Sequence, residues 1–279
     1  MNPKPSFSDK SLDASTGFLK RTHERARRWL ARAWRTLHFA ALILSLAFSP
    51  ATYSRDNRAA IATQIVGGMW PNLLWFTVLC ALVSLVLIRI VVVTALSYGL
   101  SKYALEMVVR VLVLELIPLT AAAFVALRCT LPDGVELAEM RARGELTVFQ
   151  REGIDPVRRE ALPRVMAGVF SVLTLVAVSC ITSLVLAYLS IYGFTPWGIA
   201  GYNRVVGQVF SPAVSMILLL KTVFFSLAVS LIPMASSLYD EANMSMQSRS
   251  KAARELASMV RLFSVILLIE VASLMGNYY

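Results

Sequence analysis

Residues 73–96 have the sequence LLWFTVLCALVSLVLIRIVVVTAL, in which Arg89 is the only charged residue. A helix needs about 20 predominantly apolar residues to cross the hydrocarbon core of a bilayer, and this run is long enough. Inside lipid the backbone has no water to bond to, so a single crossing segment must be helical to satisfy its own N–H and C=O groups. The run therefore predicts a membrane-spanning helix.

Similar apolar runs recur along the chain, and they predict four more spans, at residues 104–127, 161–191, 213–238 and 260–275. The composition agrees, because 57% of residues are hydrophobic and 16% charged, against about 45–50% and about 25% in soluble domains. The mean hydropathy is +0.65. So few charges could not cover the surface of a compact soluble enzyme. We therefore predict an all-α integral membrane protein with five spans.

The segment before the first span predicts an amphipathic elbow helix over residues 20–49. Apolar residues at spacings of three and four form one stripe, and arginines occupy the opposite side. The stripe residues expected to contact lipid are Leu30, Trp34 and Leu37, continued by Ala41 and Leu44. A nucleic-acid-binding helix is the disfavoured alternative, because the segment runs directly into membrane sequence. Residues 1–19 are expected to form a disordered cytoplasmic tail, and residues 20–279 a single domain.

The distribution of basic residues predicts the orientation of the chain. Eleven Lys and Arg precede the first span, seven lie between Arg128 and Arg164, and only Lys102 and Arg204 lie on the other side. Cytoplasmic loops carry the excess of positive charge. The amino terminus is therefore expected in the cytoplasm and the carboxy terminus outside, in the periplasm if the cell is Gram-negative.

Between the second and third spans, residues 133–150 are charged but keep helical spacing. We expect a cytoplasmic helix here, with Asp133 as its N-cap. Such a helix could dock a soluble partner, or it could be a solvated connector, and the spacing does not decide between the two.

Charged residues inside the spans are the candidate functional groups. Glu106 and Arg110 lie four residues apart near a span end, which predicts a local ion pair. Glu115, Lys221 and Glu270 lie deeper, on three different helices. Each charge costs about 2.5–3.5 kcal/mol at mid-bilayer, so pairing is expected. Either a structural ion pair or the polar lining of a path through the protein would account for them.

The sequence contains no GxxxxGK[ST], HExxH or GxSxG pattern, so neither an ATP site nor a familiar catalytic site is predicted. Its three cysteines are far apart and do not resemble a zinc site or a disulfide framework. No cofactor or metal is therefore expected on this chain. An intramembrane enzyme lacks a candidate nucleophile paired with a base.

Five short motifs between residues 115 and 168 follow one another in the register of the MlaE-type (YrbE-type) permeases. They resemble the ELGP, AGR, E-x-G-x-M-R/K, MGVDP and PRxxAG motifs of that family. The matching residues are Glu115-Leu116-Ile117-Pro118, Arg128, Glu136 with Met140 and Arg141, Gly153-Ile154-Asp155-Pro156, and Pro163-Arg164 with Ala167-Gly168. Lys221 and Glu270 also match polar positions of the family's last two spans, whereas Gly144-Glu145 stands where the family usually has Glu-Gln.

The resemblance implies the permease subunit of an ABC transporter that moves lipids between the inner and outer membranes of bacteria. It implies a second permease copy, a separate ATPase that holds ATP and Mg, and a periplasmic MCE-domain protein. The residues it implies for ATPase coupling are Glu136, Met140, Arg141, Glu145, Asp155 and Pro156. Arg128 is expected to join Glu115, Lys221 and Glu270 in the translocation pathway or buried charge network. The alternative is a membrane scaffold that anchors a soluble partner without transport.

Overall fold

The structure is a computed structural model that describes residues 27, 31, 34–47, 49, 55–239 and 251–278. Within these ranges it is helical and contains no β-strand. Five helices are long and apolar enough to cross a membrane, at Asn72–Ser97, Tyr103–Ala142, Val157–Tyr192, Pro212–Tyr239 and Leu256–Asn277. The prediction of an all-α membrane protein with five spans is confirmed. The predicted tail at 1–19, the first half of the predicted elbow helix and the side chain of Leu30 lie outside the described residues.

The helices are numbered in chain order. They are α1 (Trp34–Ala47), α2 (Arg55–Ser97), α3 (Ser101–Val108), α4 (Ile117–Val125), α5 (Leu131–Ala142), α6 (Glu145–Arg151), α7 (Leu162–Tyr192), α8 (Ile199–Val209), α9 (Pro212–Tyr239) and α10 (Lys251–Tyr278). Three π-helical segments, Val109–Leu116, Ala126–Thr130 and Val157–Ala161, and one 3-10 turn, Pro196–Gly198, join some of them.

The second span differs from its predicted bounds. It does not end at residue 127 but stays helical to Ala142, through two π-helical segments, so no separate helix covers 133–150. Asp133 lies in the first turn of α5 and not at an N-cap that starts a new helix. Pro132 does not break the run, because it stands near the start of α5, directly after the wide π-helical turn. The break comes at Gly144, whose φ of +80° suits glycine, and α6 follows it.

The centre of the bundle is packed through small residues. A Cβ added to Gly168 on α7 would lie 2.5 Å from Ser230 Oγ on α9 and 2.9 Å from Thr130 Cγ2. Ser84 on α2 and Ser183 on α7 share a hydrogen bond of 2.8 Å between their buried hydroxyls. Small residues let membrane helices approach closely, and hydroxyls bond across the contact.

Two apolar clusters mark the two ends of the bundle. At one end, Phe39 and Ile43 of α1 are buried against Leu137 of α5, Leu162 of α7 and Met234 of α9. Trp34 and Leu37 on the same helix are exposed. Helix α1 therefore has two apolar faces, one packed on the bundle and one open, and the open face carries the predicted stripe residues Trp34 and Leu37.

The opposite end of the bundle is covered by α8, an element that the sequence analysis did not predict. Val209 of α8 is buried, and Tyr202 and Val205 pack on an apolar cluster that includes Leu105 of α3 and Ala187 of α7. Arg204 on the same helix is exposed. Because its apolar residues recur at helical spacing, α8 lies on the bundle with a polar face outward.

Candidate functional site

A buried cluster of charges joins three helices within the membrane-spanning bundle. Lys221 on α9 is only 2% exposed. Its Nζ donates a hydrogen bond to the carboxylate of Glu115 and forms an ion pair with Glu270 Oε2 at 2.8 Å. Glu115 lies in the π-helical segment Val109–Leu116, and Glu270 lies on α10. The structure thus brings together the three deep charges named from the sequence.

The local sequence around Glu115 explains why a lysine fits at this point. Pro118 stands four residues after Leu114 and has no N–H, so it cannot make the α-helical bond to the Leu114 carbonyl. Lys221 Nζ lies 3.3 Å from that carbonyl oxygen and donates to it. The ammonium group therefore satisfies a backbone acceptor as well as two carboxylates, and burying it without these partners would be costly.

Asn277, near the end of α10, completes the cluster. Its Nδ2 donates to Glu115 Oε1 at 3.2 Å. The ring centroid of Phe225 lies 5.8 Å from Lys221 Nζ, within the range of a cation–π contact. Two carboxylates thus share one ammonium, and the pairing holds α9, α10 and the second span together. Removing the cation would leave two buried carboxylates without a counter-charge.

The cluster lies nearer to the α8 end of the bundle than to the α1 end. Lys221 is nine residues from Pro212, where α9 begins, which corresponds to about 14 Å along a helix. Glu270 is seven residues from Asn277, or about 10 Å. Both distances are shorter than the half-thickness of a bilayer with its head groups, about 20–22 Å. The charges therefore lie in the half of the bundle next to α8.

Arg128, which was expected in the same network, lies elsewhere. Its Nε donates to Asn72 Oδ1 at 3.3 Å, at the start of the first span. Arg128 follows Glu115 by 13 residues in one continuous helical run, so about 20 Å separates them along the axis. That distance is far beyond the reach of a side chain, so Arg128 is not part of the charge cluster. Its expected place in a translocation pathway stays a prediction.

Three of the residues expected to couple to an ATPase contact helices of this chain. Arg141 Nη1 donates to the carbonyls of Leu238 at 2.8 Å and of Ser237 at 3.3 Å, in the last turn of α9. A cation is favourable there, because the last carbonyls of a helix carry partial negative charge. Glu136 and Met140 both contact Arg164 on α7, with Glu136 Oε1 at 3.6 Å from Nη2 and Met140 Sδ at 3.9 Å.

The remaining three lie around the turn that follows α5. Glu145 forms an ion pair with Arg143 at 2.7 Å, and both side chains are substantially exposed. Asp155 Oδ1 accepts a hydrogen bond from the backbone N–H of Val157 at 3.0 Å, and Pro156 is buried. Asp155 therefore supports the start of the helical run that becomes the third span.

Arg164 is a residue of the site to which the sequence analysis gave no role. Its side chain is 9% exposed, and Nη1 lies 2.6 Å from Glu160 Oε2 and 2.9 Å from the Glu160 carbonyl oxygen. Together with the contacts to Glu136 and Met140, this makes Arg164 the polar link between α5 and α7. Its place in the PRxxAG-like motif was the available signal. The predicted pair of Arg110 and Glu106 is confirmed, with Nε 3.0 Å from Oε1.

A helical bundle with five helices able to cross a membrane, three of them joined by a buried ion cluster, is the architecture of a multi-pass membrane protein. The family model described as Permease MlaE matches residues 61–275, which is most of the chain. The chain belongs to the MlaE permease family, as the motifs between residues 115 and 168 indicated. It is a multi-pass transmembrane permease. A search of curated proteins gave no match.

Proposed function

We propose that this chain is the permease subunit of an ATP-binding-cassette transporter of the bacterial inner membrane, and that it moves phospholipid or a similar hydrophobic molecule. Two copies would pair in the membrane, a separate ATPase would bind on the cytoplasmic side, and a periplasmic MCE-domain protein would receive or supply the lipid. Membership of the MlaE permease family supports the transport role. The absence of a GxxxxGK[ST] sequence supports placing ATP and Mg on another chain.

The observation that carries the proposal is that side chains of α5 link it to two spans, α7 and α9, and that α9 carries Lys221 of the charge cluster. Arg141 ties α5 to the last turn of α9, and α9 carries Lys221 about 27 Å away, 18 residues before Tyr239. Arg164 ties the same helix to the start of α7. A force applied at α5 and α6 would therefore reach two spans through hydrogen bonds and ion pairs.

The excess of Lys and Arg in the 128–164 segment supports placing α5 and α6 on the cytoplasmic side, where an ATPase would bind. The exposed face of α6 includes Val148, and the turn beside it carries the exposed pair of Arg143 and Glu145. In this arrangement the ATPase would touch α6 and the turn, while Glu136, Met140 and Arg141 would transmit the motion inside the permease.

The charge cluster would act as the gate. When Lys221 bonds Glu115 and Glu270, α9, α10 and the second span are held together. Rotation of α9 would separate these groups and expose their charges to an otherwise apolar path between the helices. The open faces of α1, which carry Trp34 and Leu37, and of the first span would contact acyl chains.

Purification of the chain from its native membrane tests the proposal. We expect an ATPase to co-purify, ATP turnover to rise with added lipid, and mass spectrometry to find bound lipid. A partner without a nucleotide site would contradict the transport role and favour the membrane scaffold.

The coupling route needs its own experiment in proteoliposomes that contain the whole complex. Arg164→Met should lower lipid transfer far more than ATP turnover, because the ATPase would still hydrolyse ATP while the polar link between α5 and α7 is missing. Arg110→Met, which breaks the half-exposed pair with Glu106 far from α5, is the matched control and should leave both rates close to wild type. Equal transfer by the two variants would remove Arg164 from the route.

A further inference from the structure

The loop between α7 and α8, residues 193–198, carries two almost fully exposed aromatic side chains. Phe194 is 93% exposed and Trp197 is 91% exposed. Neighbouring large apolar residues with this exposure mark a surface that contacts something other than water. The loop lies outside the charge cluster and the α5 link, so the proposed transport mechanism does not use it.

The loop that carries these side chains is held by several specific contacts. The hydroxyl of Tyr188 donates to the carbonyl of Thr195, and Thr195 Oγ1 donates to the carbonyl of Tyr192 at 2.7 Å. Gly198 lies directly on the Tyr192 ring, since an added Cβ would be 2.6 Å from its Cδ1. Gly193 makes the turn out of α7 with φ of +67°. These contacts therefore hold the loop backbone in one conformation, which fixes the points from which both aromatic side chains project.

Three tyrosines fix the loop to both flanking helices. The ring of Tyr202 on α8 stands edge-on to Tyr188 at 5.2 Å and to Tyr192 at 6.3 Å between centroids. The hydroxyl of Tyr202 donates to the carbonyl of Leu184 on α7 at 2.8 Å. Edge-to-face aromatic contacts add to the burial of the rings. The cluster holds α8 and the loop in one orientation relative to the third span.

The length of α7 sets the depth of the loop. No charged residue occurs between Arg164 and Arg204. From Arg164 to Tyr192 the helix rises about 42 Å, which matches the about 40–45 Å of a bilayer with its head groups. With Arg164 at one membrane surface, the loop lies in the head-group layer of the opposite leaflet. The exposed Ile181 and Val185 on α7 lead up to it as a continuous apolar face.

We propose that Phe194 and Trp197 insert into the head-group region of this leaflet and anchor the end of α7 at a set depth. Tryptophan and tyrosine are enriched at this layer because their rings combine an apolar body with a polar group. The occupant is a lipid surface and not a protein partner. A protein-binding patch has a polar rim, whereas the loop is uncharged and continues the lipid-facing surface of the span.

Tryptophan fluorescence of the full chain in nanodiscs tests the anchor. In a variant that retains only Trp197, with Trp29, Trp34, Trp70 and Trp75 changed to Phe, we expect blue-shifted emission. Phosphatidylcholine brominated near the head group should quench it more than lipid brominated at the chain end. A Trp75-only variant is the reference, because Trp75 is an exposed residue of the first span. If removing four tryptophans prevents folding, the difference between wild type and Trp197→Phe isolates the same signal.

Two results would overturn the anchor. Aqueous iodide that quenches Trp197 but not Trp75 would place the loop in water. Protection of Trp197 only after a periplasmic partner is added would assign the surface to a protein. Neither result would bear on ATP-driven transport, which is measured separately.

Discussion

Replacing Lys221 by Met removes the cation from the buried cluster while keeping a side chain of similar length. Glu115 and Glu270 would then face each other in a site where the native lysine is 2% exposed, and the Leu114 carbonyl would lose its donor. Breaking a buried ion pair by removing one partner costs about 3–5 kcal/mol. We therefore expect the folding equilibrium to fall by about two to nearly four powers of ten.

The assay is unfolding of the purified permease in mixed detergent–SDS micelles, followed by tryptophan fluorescence. The triple variant Lys221→Met, Glu115→Gln, Glu270→Gln should recover most of the loss, because neutral groups of the same shape need no counter-charge. Arg110→Met is the matched control: its partner Glu106 is 3.0 Å away, but the two side chains are 35% and 38% exposed, so the loss should stay below about 1 kcal/mol. A Lys221→Met variant as stable as Arg110→Met would refute the reasoning.

Helix contacts in the centre of the bundle give two further predictions, checked by the same unfolding assay. Gly168→Ala places a methyl group 2.5 Å from Ser230 Oγ and should lower the free energy of unfolding by about 1–3 kcal/mol. Gly207→Ala is the control: an added Cβ there has nothing within 4 Å, so the change should be neutral or stabilising. Equal effects of the two changes would mean that α7 and α9 do not approach each other closely at Gly168. Ser183→Ala removes the bond to Ser84 and should cost about 0.6 kcal/mol. Adding Ser84→Ala should cost little more, because the hydroxyl that lost its Ser183 partner is then also removed.

The spans were predictable because their signal is local. A run such as residues 73–96 must be helical in lipid whatever it packs against, since its backbone has no other hydrogen-bond partner. The motifs between residues 115 and 168 are also contiguous, and the family they indicated is the one that matches residues 61–275. The end of the second span was not predicted, because the apolar run stops at residue 127 whereas the helix continues to Ala142. In the structure Pro132 fits the first turn of α5, and Gly134 gives close contact with Pro233.

Partners far apart in the chain were decided only by tertiary structure. Glu115 and Lys221 are 106 residues apart, and whether they meet depends on how the second and fourth spans are rotated. The sequence showed that each charge would be costly in lipid, which predicts pairing but does not choose the pairs. Arg128, on the same helical run as Glu115, bonds Asn72 instead, and Arg164 joins two helices through Glu136 and Met140. The sequence by itself thus determined which segments enter the membrane, since that depends on the apolar length of each. The rotation and depth of the helices, which arise from packing, determined which charges meet.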